Sequence, residues 1–305
     1  MSVVARQIRS RSEWLSWRLN DVTASDIGGL AGVDAYRTPL KIWAEKTQLV
    51  SGPEETNLMR RGRWLEPSIA KALSEERPGW LLTAPGIYLS DLELRLGGTP
   101  DYFASRLDRS GQGNVQCKVI AKPTFEREWK DGPPIKYQLQ SLTEAMLADC
   151  TWNAVVALVL DTYSADLHIF DVPRHPAAEA RIIELVADFW AMIAAGQQPA
   201  PNYKADAALI KALHPRGGEH PAIDLSQHNR IGFLAEEHLE WQRRKRNAEG
   251  ALEEVDAEIT HILGDHDAAE HPDYKITWKL QQRKEVIIPA TEYRVLRVTR
   301  RKEDA

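Results

Sequence analysis

The sequence predicts an α/β fold in which a small mixed sheet is flanked by helices. Residues 12–76 have the apolar spacing and capping residues of helices, whereas short strand-like segments follow between residues 87 and 120. Helices and strands then alternate up to about residue 195. The composition, with 43% hydrophobic and 27% charged residues, is ordinary for a globular protein. Only two cysteines are present, Cys117 and Cys150, which excludes a disulfide framework and a four-cysteine metal or iron–sulfur site.

Each predicted element depends on a local pattern. In the helical part, Pro39 is predicted to open one helix, Ser25 to cap another, and residues 54–76 are amphipathic. Short turn-bounded segments of strand character predict the strands, and longer segments predict the later helices. In chain order these are strands 87–90, 94–98 with 102–105, and 114–120, a helix from about 134 to 149, strands 152–160 and 165–172, and a helix from about 175 to 195.

The end of the core is predicted near residue 200. Residues 196–206 are typical of a loop, and beyond them residues 231–262 carry a heptad-like stripe of mostly apolar residues. Gly250 could divide this stripe into a helical hairpin. Packing against the protein's own core and an intermolecular coiled coil are both compatible with it. We therefore predict a core over residues 1–200 and a C-terminal helical and basic extension over residues 201–305.

The charge is unevenly distributed along the chain. The net charge of −5 does not by itself indicate a nucleic-acid partner. Between Asp273 and Lys302, however, nine lysines and arginines stand against three acidic residues. A solvated basic tail and a tail that contacts DNA are both compatible with this segment. No stretch resembles a signal peptide or reaches the ~18 apolar residues of a membrane span, so we expect a cytoplasmic protein without a membrane partner.

An aspartate and a Gln-x-Lys sequence form the first chemical motif. Asp101 ends the segment Gly97–Asp101, and Gln116 and Lys118 follow on the next predicted strand. Because alternate residues of a strand share a face, Gln116 and Lys118 point the same way, with the Cys117 carbonyl between them. Hydrolysis of a phosphodiester needs such a set, namely oxygen ligands for one or two Mg²⁺ and a lysine beside the attacking water. Alone, this pattern is weakly specific.

The second motif is a glutamate among arginines. Met59–Pro67 holds three arginines and Glu66 on an amphipathic helix. A solvated face with an i,i+3 pair between Arg63 and Glu66 would explain the charges without a function. Pro67, however, disfavours helical geometry at Glu66, so the helix is predicted to end or kink there. That break would fix the direction of the carboxylate.

Two glutamines open the helix that follows the Gln-x-Lys strand. They are Gln138 and Gln140, in the sequence Tyr-Gln-Leu-Gln. Residues at i and i+2 do not share a helix face, so at most one of them can serve a given site directly. The pattern alone is more typical of two surface residues.

An arginine and a serine near the N-terminus form the last motif. Arg18 follows two tryptophans, and Ser25 stands at a predicted helix N-cap. A hydroxyl, backbone N–H groups and a guanidinium that converge at such a place make an anion pocket. A capped helix with an arginine nearby by chance remains the alternative.

Together and in this order, the motifs resemble the YqaJ-type viral recombinase family, to which lambda exonuclease is related. The resemblance covers about residues 10–195 and runs through WLSWRLNDVTASDIGG, YRTPLKIWAEKT, MRRGRWLEP, GGTPD, VQCK and the segment Trp129–Gln140. It implies a restriction-endonuclease-like core and a 5′→3′ exonuclease that acts on ends of double-stranded DNA with two Mg²⁺ (or Mn²⁺) per active site. It also implies a ring-shaped homotrimer in a bacterial host cell, which leaves 3′ overhangs for a single-strand annealing protein.

The resemblance also assigns roles to residues. It implies that the metal ligands and the catalytic lysine are Asp101, Gln116, the main-chain oxygen of Cys117, Glu66 and Lys118. It implies that the 5′-phosphate of the recessing strand is bound by Arg18, Ser25, Thr99 and either Gln138 or Gln140.

Gln116 departs from the family pattern, which has a glutamate at this position. An amide oxygen can bind Mg²⁺, but it brings no charge. Either the site works with glutamine, or the chain is inactive, by nature or by a deliberate substitution. The alternative function is therefore a catalytically inactive nuclease-fold protein that binds DNA ends or acts as a recombination adaptor through residues 231–262. Cas4- and AddB-like nucleases of the same core are disfavoured, because the cysteines of their iron–sulfur cluster are missing.

Overall fold

The computed structural model describes residues 2–52, 54–215, 217, 221–285 and 293–300. It divides into two compact units, Met1–Leu213 and His214–Ala305. The division lies beyond the boundary that we predict near residue 200. Asp206 gives a physical reason, because its buried carboxylate accepts a hydrogen bond of 2.5 Å from Thr38 Oγ1 and so ties this segment to the first unit.

The first unit has the predicted α/β character. Its described strands are β1 (Val3–Gln7), β2 (Val22–Thr23), β3 (Trp80–Thr83), β4 (Ile87–Asp91), β5 (Leu96–Gly98), β6 (Tyr102–Arg106), β7 (Arg109–Ala121), β8 (Trp152–Leu160) and β9 (Ala165–Asp171). Its described helices are α1 (Arg11–Asn20), a 3-10 turn (Ala24–Asp26), α2 (Ile27–Leu30), α3 (Pro39–Lys46), α4 (Asn57–Glu76), α5 (Lys122–Glu128), α6 (Ile135–Leu147), α7 (Pro176–Ala194) and α8 (Ala207–Leu213).

A five-stranded mixed sheet forms the centre of this unit. Its order is β3-β6-β7-β8-β9, and within it only β7 and β8 are parallel. Parallel neighbours need a crossover connection, which α5 and α6 supply. Helix α4 packs on β7, and α6 packs on β7 and β8. The crossover therefore places the glutamine-bearing start of α6 against the Gln-x-Lys strand.

The predicted strand segment 94–98 with 102–105 is divided between two sheets. β5 belongs to a second, four-stranded sheet of order β1-β4-β5-β2, whereas β6 belongs to the central sheet. The chain crosses from one sheet to the other at Thr99–Asp101. Gly97 is required before this crossing, because a Cβ there would lie 2.0 Å from the hydroxyl of the buried Tyr88. Asp101 thus stands at the junction of the two sheets.

Helix α4 continues through Pro67, so of the two predicted alternatives, an end or a kink at Glu66, the end is wrong. A proline inside a helix costs about 3 kcal/mol, through the lost backbone hydrogen bond and the clash of its ring with the preceding turn. Ile69 and Leu73, in the following turns, are buried in the cluster under the central sheet. Burial of two such side chains contributes roughly 1.5–3 kcal/mol each, which is enough to offset the proline.

The second unit contains a long helix, α9 (Ile231–Leu263), and a hairpin of β10 (Ala268–Glu270) and β11 (Lys275–Thr277). α9 runs through Gly250 without a break, so the hairpin that the sequence allowed at Gly250 is absent from it. A single helical glycine costs only about 1 kcal/mol. Trp241 and Leu252 of the heptad-like stripe are exposed. The basic segment Asp273–Lys302 lies partly outside the described residues.

Among the described residues, no helix has both the length and the apolar character that crossing a membrane requires.

Candidate active site

One cavity of the first unit collects residues from motifs that are far apart in the sequence. Its volume is about 810 Å³. It is bounded by α1, α4, the crossing between the two sheets, β7 and α6. The predicted site residues that line it are Arg18, Ser25, Glu66, Thr99, Asp101, Gln116, Cys117, Lys118 and Gln140. The four motifs therefore converge on one place, as a shared site requires.

Asp101 lies at the centre of the polar part of this cavity. Its Oδ2 accepts a hydrogen bond of 2.8 Å from the backbone N–H of Cys117 and another from Gln116 Nε2. Neither bond uses Oδ1. Burial raises the pKa of Asp101, although the charge of Lys118 and both hydrogen bonds oppose the shift. The aspartate is thus held in place by the strand that carries the Gln-x-Lys sequence.

On the side that faces Asp101, the backbone of Cys117 is not paired with a neighbouring strand. Strand β6 pairs with β7 only up to Val115, where it meets Tyr102. Beyond that point the same edge of β7 has no strand partner among the described residues. The N–H and C=O of one strand residue point to the same edge, and the Cys117 N–H already contacts Asp101. The Cys117 carbonyl oxygen is therefore available as a ligand for a cation next to this carboxylate.

Gln140 links the other polar groups. Its Oε1 accepts a hydrogen bond of 3.0 Å from Lys118 Nζ. Its Nε2 lies 3.3 Å from Gln116 Oε1 and 3.1 Å from Glu144 Oε1, and donates to both. Gln116 and Lys118 thus reach the same helix, as the alternation of β7 predicts. The result is a polar network that orients the lysine from the opposite wall.

Gln138 does not share this position. It is absent from the cavity lining, and its Nε2 donates a hydrogen bond of 2.6 Å to the Pro133 carbonyl. Residues two apart on a helix point to different sides, so α6 can present only one of the two glutamines. Of the two candidates for this place, the structure brings Gln140 into the cavity.

Glu66 enters the cavity from helix α4. It is half-buried, and its pKa is raised to about 7 by burial and by the negative charge of Asp101, against the opposing charge of Lys118. A carboxyl group with such a pKa is sensitive to a nearby cation, which would favour its ionised form.

Glu144, one turn after Gln140, is a site residue that the sequence motifs missed. It lines the cavity, and it is 2% exposed. Burial raises its pKa to about 8, with a further contribution from Asp101. The sequence could have indicated it, because Glu144 stands four residues after Gln140 on an apolar helix. An unpaired glutamate is rare on the buried part of such a helix.

A candidate anion pocket lies at the α1 end of the cavity. A guanidinium nitrogen of Arg18 donates a hydrogen bond of 3.2 Å to Ser25 Oγ, and the guanidinium stands 4.6 Å from the Trp14 ring centroid. Trp14 Nε1 in turn donates to Thr99 Oγ1 at 3.0 Å. Arg18, Ser25 and Thr99 are thus brought together by contacts that leave donors of Arg18 free for an anion.

Ser25 is not the helix cap that the sequence predicts. Thr23 occupies that position, before the 3-10 turn, and its capping partner is Asp26. Burial alone would raise the pKa of Asp26, but the charges of Arg37 and Lys46 outweigh it and hold the pKa far below its usual value. Lys46 Nζ also donates to the Arg18 carbonyl at 2.7 Å. This buried network fixes the backbone on both sides of the pocket, whereas the hydroxyl of Ser25 stays exposed.

The oxygen donors around Asp101 fit a hard divalent cation. The candidate ligands are two carboxylates, an amide oxygen and a main-chain carbonyl, which are the groups that Mg²⁺ and Mn²⁺ prefer. Within the described ranges no three Asp, Glu, His or Cys side chains converge closely enough to hold an ion by themselves. A buried oxygen without a hydrogen-bond partner, Oε2 of Glu144, lies beside them. Carboxyl groups with raised pKa values and an unsatisfied oxygen are expected where a cation completes the site.

Comparison with known proteins supports the resemblance of the motifs. The family model described as a YqaJ-like viral recombinase domain matches residues 13–151. The uncharacterized protein YqaJ of Bacillus subtilis (strain 168) is 22% identical over 278 residues, which cover 88% of this chain and 83% of that protein. The predicted resemblance to YqaJ-type viral recombinases is confirmed.

A solved structure supports the fold. The alkaline exonuclease LHK-Exo of Laribacter hongkongensis superimposes with a TM-score of 0.50 and 22% identity, covering 67% of this chain and 98% of that one. LHK-Exo in complex with dAMP gives a TM-score of 0.47 at 20% identity, covering 61% and 93%. The superposition on the first of these structures confirms the predicted restriction-endonuclease-like fold.

The raised pKa of Glu144 predicts a specific dependence of stability on pH. The folded chain keeps a proton on Glu144 up to about pH 8, whereas the unfolded chain loses it near the usual value of 4.5. The stability of the parent should therefore fall, relative to Glu144→Gln, as the pH rises through this interval. Thermal unfolding in EDTA measures it: the difference in Tm between the variant and the parent should widen between about pH 5 and pH 8.5. A constant difference would contradict the assignment, and Glu184→Gln, an exposed carboxylate on α7, is the matched control.

Proposed function

We propose, from the YqaJ-like viral recombinase domain that residues 13–151 carry, that this chain is a Mg²⁺- or Mn²⁺-dependent deoxyribonuclease. Its substrate would be the end of double-stranded DNA, degraded from 5′ to 3′ to leave 3′ overhangs for homologous recombination. The observation that carries the proposal is the single cavity in which Asp101, Glu66 and Lys118 lie together with Arg18 and Ser25.

The proposed chemistry uses groups that already line the cavity, although the Gln116 amide, whose oxygen accepts from Gln140 and whose nitrogen donates to Asp101, would have to rotate to bind a cation. Asp101, Glu66, the Gln116 amide oxygen and the Cys117 carbonyl would hold the cations. A bound divalent cation would supply a Lewis acid for the scissile phosphate and a water of lowered pKa. Lys118 donates one of its three ammonium hydrogens to Gln140, which leaves two for an attacking water or a phosphate oxygen. Gln140 therefore acts as the positioning residue of the lysine.

The anion pocket would define the polarity of digestion. Arg18, Ser25 and Thr99 would bind the 5′-phosphate, so that the next phosphodiester of the same strand lies toward Asp101. Charge-assisted hydrogen bonds from a guanidinium suit a phosphate, and the exposed hydroxyl of Ser25 adds a donor.

The assembly and the partners belong to the same proposal. The resemblance implies a ring-shaped homotrimer around duplex DNA, acting with a single-strand annealing protein in the bacterial cytoplasm. Exposed apolar residues on α9, among them Trp241, Leu252 and Ile262, are available for a protein contact of this kind. That observation also favours the adaptor function, which is compatible with a nuclease.

A catalytically inactive protein that binds DNA ends is the second candidate. The observation in its favour is the orientation of Gln116, whose Nε2 donates to Asp101 Oδ2. The amide N–H thus occupies an oxygen of Asp101 that a cation would otherwise bind. Position 116 also adds no negative charge that would attract a cation.

Digestion of linear duplex DNA separates the two candidates. We expect the parent and Gln116→Glu both to degrade 5′-phosphorylated linear DNA with Mg²⁺ or Mn²⁺, and Asp101→Asn to lose activity by at least about a hundred-fold, or roughly 2.7 kcal/mol of transition-state stabilisation. The release of nucleotides over time measures the rate. If only Gln116→Glu digests DNA, the parent is the inactive end-binding protein.

The pocket at Arg18 predicts a preference for phosphorylated ends. The parent should bind or digest 5′-phosphorylated ends better than 5′-hydroxyl ends, and Arg18→Ala should remove that preference. The loss of a charge-assisted contact is worth about 1.5–3 kcal/mol, or roughly ten- to hundred-fold. Arg181→Ala, an exposed arginine on α7, should keep the preference. Equal use of both ends by the parent would refute this role of the pocket.

A further inference from the structure

Helix α6 places beside the cavity a glutamate that belongs to none of the sequence motifs. Glu144 is 2% exposed and contributes to the cavity wall. Its Oε1 accepts the hydrogen bond from Gln140 Nε2, whereas its Oε2 is buried without a hydrogen-bond partner among the described residues. A buried carboxylate oxygen is normally satisfied, because leaving it unpaired is unfavourable. The unpaired oxygen therefore requires either a proton, which the raised pKa of Glu144 would allow, or a cation in the cavity that takes the place of that proton.

The surroundings of Glu144 are built for a polar group. On the side of β5, Gly98 leaves it room, since a Cβ there would lie 3.2 Å from Glu144 Cγ. On the side of β7, the nearby side chains are Asn114, Gln116 and Lys118, and Asp101 is the nearby carboxylate. Asn114 lies close enough to Glu144 to lower its pKa, but it directs its amide hydrogens to Ser141 and Asn153. Two buried oxygens, Asn114 Oδ1 and Glu144 Oε2, are therefore left without a donor among the described residues.

Glu144 is also close to the position at which a carboxylate is missing. Gln140 Nε2 lies 3.3 Å from Gln116 Oε1 and 3.1 Å from Glu144 Oε1. A single amide nitrogen thus bridges the neutral side chain at position 116 and the carboxylate of α6. Both face Asp101, which accepts a hydrogen bond from Gln116 and contributes to the pKa of Glu144.

We propose that Glu144 supplies the third negative charge of the divalent-cation site, in place of the carboxylate that strand β7 lacks at Gln116. This inference rests on the proposed function, since it requires that the cavity bind Mg²⁺ or Mn²⁺. With Asp101 and Glu66, Glu144 would bring the negative charge around the cations to three, acting from beside the ligands and not as a third converging carboxylate. The acid has moved from the strand to the facing helix, and the amide of Gln116 occupies the place that it left.

Binding of Mn²⁺ in the absence of DNA tests this inference. Titration calorimetry with MnCl₂ would compare the full-length parent, Glu144→Gln and the double variant Gln116→Glu/Glu144→Gln. We expect Glu144→Gln to weaken Mn²⁺ binding by about ten- to hundred-fold, as is usual when a group beside the metal ligands is lost. The double variant should regain most of that affinity, because it returns the charge to the strand. Glu184→Gln, which removes an exposed charge on α7, should bind like the parent.

Two results would overturn the inference. One is an unchanged Mn²⁺ affinity in Glu144→Gln. The other is a double variant that binds no more tightly than Glu144→Gln, because a purely structural role is not rescued by a charge at position 116. Circular dichroism confirms that each variant is folded, and Glu144→Asp, which keeps the charge, should bind Mn²⁺ more tightly than Glu144→Gln.

The same experiment distinguishes this inference from the proposed function. Mn²⁺ binding that depends on Glu144, in a protein that digests no DNA, would contradict the nuclease and support the role of Glu144. Digestion by a Glu144→Gln protein of full Mn²⁺ affinity would support the nuclease and contradict the role of Glu144. A parent that binds no Mn²⁺ contradicts both.

Discussion

The burial of carboxylates around Asp101 is the constraint on which the rest of the site depends. Burial raises the pKa values of Asp101, Glu66 and Glu144, and the charge of Asp101 raises those of Glu66 and Glu144 further. Lys118 is the cation that opposes all three shifts. Such an arrangement disfavours the ionised apo state, and a divalent cation would reverse that balance. The glycines of the sheet crossing and the hydrogen bonds from Cys117 and Gln116 hold Asp101 at the centre despite this repulsion.

The fold positions these groups through two local devices. The crossing from β5 to β6 places Asp101 between two sheets, next to the edge of β7 that β6 leaves unpaired. The crossover from β7 to β8 brings α6 back over the Gln-x-Lys strand, so Gln140 and Glu144 face it. At the other end of the cavity, the buried ion pairs of Asp26 fix the backbone that carries Arg18 and Ser25. The residues of this buried network therefore precede, in the sequence, the strands that carry the acid and the lysine.

Much of this arrangement could be predicted from the sequence. Periodicity and turn residues predicted β8 with its observed bounds and α6 and α7 to within a few residues, because long apolar segments leave a clear signal. They missed the short elements β1, β3 and α5. β1 in particular pairs with β4, which lies far later in the chain, so no local pattern marks it. Local rules also failed at Pro67, where the burial of Ile69 and Leu73 overrides the effect of the proline. Glu144 had no motif of its own, since its significance depends on the contact of α6 with β7.

The central claim is that the cavity around Asp101 is a divalent-cation site that the fold supports although position 116 carries an amide. Anomalous diffraction at the manganese edge, from crystals soaked in MnCl₂, tests it most directly. The account predicts a Mn²⁺ peak inside the cavity, within ~2.2 Å of an Asp101 oxygen and of the Cys117 carbonyl. A cavity without an anomalous peak at saturating Mn²⁺, or a peak that makes no contact with Asp101, would contradict it.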